Sequence, residues 1–278
     1  MQSAHKVESK LGSAMQWLPV DTIEVDLLMQ RPIDERRAAL MAAAFDPDAI
    51  GKPFVAAITA GRHTRYLVID GQHRLRAAQI ALGAGQLVEC EVVHCDIPTA
   101  ARLFRQRNTS RLPNAVTDFT VAVTEGDAGC IAINRIVESF GLRIGGTASD
   151  RTIKAVVSLR RIYRGSARYG TGTNALALTR TLNTVVRAWG RTMDAFNGDV
   201  LLGLGLVILR DGDAIDFPSL ERRLAQRKGG ALGVLGDARA LRQALGGNLT
   251  SNVASLIVRE CNTGGKKHKI DEWNRRES

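Results

Sequence analysis

The chain has 278 residues, with 38 Lys and Arg against 28 Asp and Glu, a formal net charge of +10, 45% hydrophobic and 5% aromatic residues, and four cysteines. That length and apolar content suit one large domain or two modest ones with a packed core, which excludes a disordered tail protein. Cys90, Cys95, Cys130 and Cys261 are too few and too irregular for a disulfide-stapled secreted module, and the first thirty residues lack the apolar core of a signal peptide, so a cytoplasmic location is expected.

Residues 1–14 show no periodicity and are expected to be a disordered lead-in. Residues 15–97 alternate between short strand-like and helical stretches, as in an α/β domain. Strand patterns at 17–20 and 22–25 lead into a turn at Arg31-Pro32. Asp34 is a candidate N-cap for an Ala-rich helix through Ala44, because its carboxylate can accept first-turn amides. Strands are predicted at 53–59, 66–69 and 87–93, with a helix over 74–84 before the last. Cys90 and Cys95, with His94 beside Cys95, raise a metal site, but no second ligand pair follows at zinc-like spacing; two core-facing strand cysteines are the plainer reading, and no metal is expected.

After Pro98 only helical patterns remain, over 98–107, 115–124, 129–140, 151–164, 175–196, 200–209, 219–227 and 237–245, followed by a charged flexible tail over 264–278. The expected boundaries are therefore an α/β domain at 15–97 and an all-α domain at 98–263. The run 200–209 is half of the roughly 20 residues that a bilayer crossing needs, so it reads as a buried helix and no membrane partner is expected. Trp189 and Phe196, seven apart, read as core.

Charge divides at the same place. Residues 1–97 hold 10 Lys and Arg against 12 Asp and Glu, and residues 98–278 hold 28 against 16. Between 143 and 191 ten basic residues face the single acid Asp150, a block that suits a polyanion partner better than ordinary surface pairing. Within it, helical spacing over 150–164 places Ile153, Val156, Val157, Leu159 and Tyr163 on an apolar arc, with Arg151, Lys154, Ser158 and Arg161 opposite. Together with Arg164 and Arg168 these four are the candidate DNA contacts. A helix over 131–142 ahead of this one suggests a helix-turn-helix variant, although 143–149 is longer than its usual turn of about 3–4 residues. Arg102, Arg105, Arg107 and Arg111 suit either a ligand-site rim or a solvated helix face, and Lys266, Lys267, His268, Lys269, Arg275 and Arg276 suggest an electrostatic arm.

The most specific local pattern is Asp70-Gly71-Gln72-His73-Arg74. An apolar strand ends at Asp70, glycine turns, and a helix starts at once. Such a junction directs backbone N–H groups and the positive end of the helix dipole toward an anion. Gly71 permits close backbone approach, Arg74 offers a fork of donors to phosphate oxygens, and His73 adds a donor or proton-transfer group, while Arg76 lies further round the helix. A tight structural turn with Asp70 as helix cap fits the same spacing, and the residues alone leave both readings open.

This run resembles the DGQHR signature of the ParB/sulfiredoxin superfamily, whose partition proteins carry a G-E-R-R-x-x-A version of the turn. The likeness extends over residues 15–97, with 19–32 (PVDTIEVDLLMQRP) similar to the family's opening strand and Arg-Pro box. Gln72 stands where sulfiredoxins carry their nucleophilic cysteine, so sulfinic-acid repair is excluded. Partition proteins have Glu-Arg where Gln72-His73 stand here. The helix ending in Phe104-Arg105-Gln106-Arg107-Asn108-Thr109 is also similar to a segment that follows the domain in such proteins. The resemblance implies a nucleoside triphosphate, CTP or ATP with or without Mg²⁺, held by Gly71, Gln72, His73, Arg74 and Arg31. It also implies a phage, plasmid or mobile-element setting.

The leading expectation is a ParB-like protein that binds double-stranded DNA and is regulated by nucleotide at this turn. One alternative is an NTP hydrolase or phosphotransferase, with Asp70 or Glu35 as base or metal ligand and His73 as acid/base. Another is an interaction module for recombination or defence that grips a DNA-bound protein. A homodimer is compatible with all three.

Overall fold

In the computed structural model, which describes residues 11–26, 30, 32–108, 114–165, 172–263 and 269–273, the strand patterns of the first half assemble into one mixed sheet. Its strands are β1 (Ser13–Pro19), β2 (Ile23–Glu24), β3 (Phe54–Ala60), β4 (His63–Asp70) and β5 (Leu87–His94), in the spatial order β1-β5-β3-β4-β2. β3 and β4 form an antiparallel hairpin, β5 runs parallel to β3, β1 pairs antiparallel with β5, and β2 lies parallel to β4.

The two-residue period of these strands sends alternate side chains to opposite faces. Leu18, Val55, Val68, Val88, Cys90 and Val92 form one core with Leu75 and Ala78 of α2 (Gln72–Leu82). Phe54, Ala56, Leu67, Ile69 and Val93 form the other with Ala100, Ala101 and Phe104 of α3 (Ile97–Arg107) and Val121 of α4 (Ala115–Glu125). α1 (Glu35–Ala43) packs on α2, and Asp34 caps it as expected, accepting from the Arg37 amide at 3.1 Å. Burial pushes the Cys90 thiol up to about 11, whereas Cys95 lies just beyond β5 and is half-buried.

The described residues fall into two compact units, the first ending at Asp127 and the second beginning at Ala128. The five-stranded sheet ends with β5 at His94, but the division in packing comes only after Asp127, because α3 and α4 are needed to cover the second face of the sheet. The charge asymmetry survives this shift: residues 1–127 hold 14 Lys and Arg against 15 Asp and Glu, and residues 128–278 hold 24 against 13.

The second unit comprises α5 (Ala128–Ser139), β6 (Arg143–Ile144), β7 (Thr152–Ile153), α6 (Val156–Arg164), α7 (Ala175–Trp189), α8 (Gly198–Asp211), α9 (Phe217–Gln226), α10 (Gly230–Leu245) and α11 (Leu249–Asn262). The all-helical expectation is corrected by β6 and β7, a short parallel pair. The helix expected over 151–164 starts only at Val156: Arg151 sits in a turn at φ 60°, and Ile153 is buried as a strand residue. α7 stops at Trp189 with Gly190 at positive φ, so Phe196 is buried from a separate 3₁₀ turn, Met193–Phe196.

α11 was not among the expected helices, although Leu249, Val253, Leu256, Ile257 and Cys261 recur at helical spacing; Ser251, Asn252 and Ser255 are buried on the same helix. The tail is also corrected in part. Ile270 and Trp273 are buried, Trp273 Nε1 donates to Ser251 Oγ at 3.0 Å, and Arg210 donates to the Asp271 carbonyl at 2.6 Å while stacking on the Trp273 ring at 4.7 Å. Lys266, Lys267, His268, Arg275 and Arg276 lie outside the described residues.

α8 is the centre of this unit, with every residue from 200 to 208 buried. Among the described residues no helix is long and apolar enough to cross a membrane. A methyl group at Gly203 would lie 2.6 Å from Val253 Cγ1 and 2.9 Å from the Thr250 carbonyl of α11, so contact between these helices requires a bare backbone there. Gly203→Ala is therefore expected to cost about 1–3 kcal/mol by overpacking. Gly236→Ala, in the exposed middle of α10 with nothing within 4 Å, is expected to stabilise by about 0.5–1 kcal/mol. Thermal denaturation of the two variants checks the contrast.

Candidate functional site

β4 fixes the position of the turn, since Val68 and Ile69 are buried in opposite faces of the sheet. Gly71 follows with φ 96° and ψ 25°, and α2 begins at Gln72. A left-handed angle costs an L residue about 1–2 kcal/mol. Space makes a second demand, because a Cβ at Gly71 would stand 3.3 Å from both Pro53 Cα and Arg74 Nη1. No side chain caps α2 and its first turn holds no acidic residue, which leaves the positive end of its dipole available to an anion. Gly71 is the N-cap, so Asp70 is not the helix cap that its position suggested.

The polar side chains of the signature are distributed around this turn. Arg74 folds back along α2, donating from Nη1 to the Lys52 carbonyl at 2.9 Å and pairing through Nη2 with Asp70 Oδ2 at 3.5 Å. Both partners of that ion pair remain about one-third exposed. His73 Nε2 accepts from the Asp34 amide at 3.2 Å, which ties the start of α2 to the cap of α1 and requires the proton on Nδ1. Gln72 is buried. Arg76 is directed elsewhere, to Glu35 at 3.1 Å, which also engages the carboxylate considered as a base. Arg31 lies outside the described residues.

Two further residues converge on the end of β4. Gln30, buried, donates from Nε2 to the carbonyls of Val68 at 3.0 Å and Ile69 at 3.2 Å. Asn108 donates from Nδ2 to the Ile69 carbonyl at 3.4 Å and to the Phe104 carbonyl at 2.9 Å. Gln30 was not singled out from sequence, and its neighbour Arg31-Pro32 was the only signal near it. Of the arginines following the sheet, Arg105 joins α3 to Asp118 and Glu125 of α4, and Arg107 lies 3.6 Å over the Phe54 ring. Arg102 is exposed, and Arg111 falls outside the described residues.

In the second unit much of the basic block serves the fold. Arg143 binds Thr152 Oγ1 at 3.0 Å, Arg160 meets Cys130 Sγ at 3.3 Å, Arg180 pairs with Asp213 at 3.2 Å, Arg187 binds Asn183 at 3.3 Å, and Arg191 donates to the Phe140 carbonyl at 2.7 Å. Arg151, Lys154, Arg161 and Arg164 are exposed and make no side-chain hydrogen bond or ion pair with a described residue. The expected four-residue helical ladder is corrected. Arg151 and Lys154 precede α6, while Ser158 is buried and donates to the Gly198 carbonyl at 2.8 Å. Arg168 lies outside the described residues. A helix-turn-helix is not formed by α5 and α6, because sixteen residues including β6 and β7 separate them and the first turn of α6 buries Val156, Ser158 and Leu159.

The family profile described as "Family of unknown function (DUF6551)" matches residues 26–226. No curated protein matches the chain. Among solved structures it is similar to the C-terminally truncated chromosome-partitioning protein ParB from Caulobacter crescentus, solved with CTP-γ-S, at 14% identity and TM-score 0.29 over 83% of this chain and 98% of that one. It is also similar to two structures of a pNOB8-like ParB N-domain, both at 14% identity, with TM-scores of 0.32 and 0.34 over 87% and 85% of this chain and 85% and 99% of theirs.

Gly71→Ala is expected to lower stability by about 1–2 kcal/mol through the left-handed angle alone, read as a fall in Tm. His73→Ala removes the acceptor of the Asp34 amide, so hydrogen exchange at that amide is expected to accelerate while the β3–β4 amides keep their protection.

Proposed function

Given that the chain belongs to the DUF6551 family, we propose that it is a ParB-like protein which binds a nucleoside triphosphate at the turn of residues 70–74 and engages double-stranded DNA through its basic helical unit. The observation that carries this is the left-handed Gly71 at the foot of an uncapped helix, directly after a buried strand. It stands in a sequence context that resembles the ParB/sulfiredoxin superfamily.

The residues fit a phosphate group. The first turn of α2, which no side chain caps, supplies the electropositive end. Arg74 reaches it by exchanging its bonds to Asp70 and Lys52 for phosphate oxygens, and Arg31 and His73 complete the set. A bound triphosphate, CTP or ATP with or without Mg²⁺, supplies negative charge that competes with Asp70 for Arg74. The existing bonds of His73 and Asp70 favour binding over proton transfer.

For DNA, the support is the contrast within the basic block. Arg151, Lys154, Arg161 and Arg164 are left to solvent while their neighbours are engaged, and Arg168 belongs to the same stretch. Cations of this kind bind phosphates and position a duplex without reading its sequence. One family match, residues 26–226, spans both the turn and these cations, which supports a reading in which nucleotide occupancy regulates DNA engagement.

Thermal denaturation with CTP, ATP and GTP, each with and without Mg²⁺, is expected to show a rise in Tm that Arg74→Ala abolishes; no rise with any nucleotide sinks the nucleotide assignment. Duplex binding followed by fluorescence anisotropy is expected to weaken steeply with salt. The double variant Arg161→Ala/Arg164→Ala should flatten the log–log salt slope by about 2. Affinity independent of salt is incompatible with the DNA assignment.

A further inference from the structure

A cleft beside the turn shares Arg74 with the phosphate site just described and extends beyond it. Trp17, Phe45, Ile50, Leu82 and Leu87 form its apolar walls, Arg74 borders it, and its empty volume is about 420 Å³. Trp17, Leu87 and Leu82 are 63%, 51% and 43% exposed, so three of the large apolar side chains that folding leaves in water line one concavity. An apolar concavity, open to solvent, with a few polar groups at its rim has the character of a ligand site. The polar groups are Arg74 and the ion pair of Lys52 with Glu89, 2.8 Å apart and partly exposed.

We propose that this cleft receives the planar base of the nucleotide, with Trp17 as the stacking surface and Glu89 as the acceptor for an exocyclic amine. The proposal rests on the phosphate assignment at the turn and adds to it the part of the ligand that the turn does not touch. Arg74 makes the two sites contiguous: its Nη1 lies 3.3 Å from the Cβ position of Gly71, and the same side chain lines the cleft.

Stacking needs an accessible flat ring. Trp17 provides one on an edge strand, where its exposure shows that the fold makes little use of its indole. Glu89 is paired directly across from Trp17 in the β1–β5 register, so the two side chains share a face of the sheet. Glu89 meets Lys52 through Oε2, and an ionised carboxylate accepts several hydrogen bonds. An amine at the edge of the ring, as in cytosine or adenine, donates to that carboxylate. A carbonyl in its place, as when uracil replaces cytosine, sets acceptor against acceptor.

Isothermal titration of the full chain with CTP, ATP, GTP, UTP and inorganic tripolyphosphate tests this, alongside quenching of tryptophan fluorescence. CTP and ATP are expected to bind more tightly than UTP, and every nucleotide more tightly than tripolyphosphate. Trp17→Ala, at an exposed site that folding tolerates, should weaken CTP or ATP at least about fivefold, the low end of what base stacking contributes. It should leave tripolyphosphate unchanged and remove the ligand-dependent quenching. Glu89→Gln should narrow the preference for CTP over UTP.

Tripolyphosphate binding as tightly as every nucleotide, or Trp17→Ala leaving nucleotide affinity intact, overturns the base site while the phosphate site stands. Failure of tripolyphosphate and of every nucleotide to bind overturns both.

Discussion

The first unit depends on one backbone angle, the φ of 96° at Gly71. β4 arrives with Val68 committed to one core and Ile69 to the other, and α2 must leave in a direction that returns Leu75 and Ala78 to the first of these cores. A left-handed residue between strand and helix makes that reversal in a single step. The Asp34 amide bonded to His73 then sets α1 against α2, and the Ile69 carbonyl, bonded by Gln30 and Asn108, anchors the strand end. The same reversal turns the uncapped start of α2 outward. Packing and the outward-facing start of α2 are therefore two consequences of one glycine.

The distribution of arginine shows how little a net charge says about a binding surface. The helical unit has a large excess of positive charge, yet Arg143, Arg160, Arg180, Arg187 and Arg191 each donate to a carbonyl, a side-chain oxygen or a sulfur within the fold. An exposed ion pair such as Arg180 with Asp213 adds little stability, typically under about 1 kcal/mol. Such bonds do remove side chains from the pool available to a partner. Within the block of residues 143–191, the described cations left to solvent are Arg151, Lys154, Arg161 and Arg164, around the start and the exposed side of α6.

Most of the sheet and the turn could be read from the sequence because short-range rules govern them. Alternation over 87–93 is enough to place β5, Asp34 is an effective cap, and Asp70-Gly71 followed by an amphipathic run announces a strand, a turn and a helix. The direction of Arg74 was not legible. Its fork meets the Lys52 carbonyl, which comes from a loop twenty-two residues earlier, and no local pattern records that meeting. Gln30 escaped notice for the same reason, since its partners lie thirty-eight and thirty-nine residues away. In the helical half, Ile153 fits a helix and a strand equally well. Pairing of β7 with β6 decided between them and carried Arg151 and Lys154 off the helix.

The sequence alone determined the order of the elements in the sheet-forming half, the glycine turn with its signature residues, and the concentration of positive charge in the second half. These follow from residue type and spacing, which act within a few positions along the chain. Tertiary structure decided where the sheet unit ends, which arginines stay free, that Ser158 and Trp273 are buried, and that Trp17 and Arg74 border one cleft. Each of these depends on which distant segments come into contact, and contact between distant segments is settled by packing rather than by local pattern.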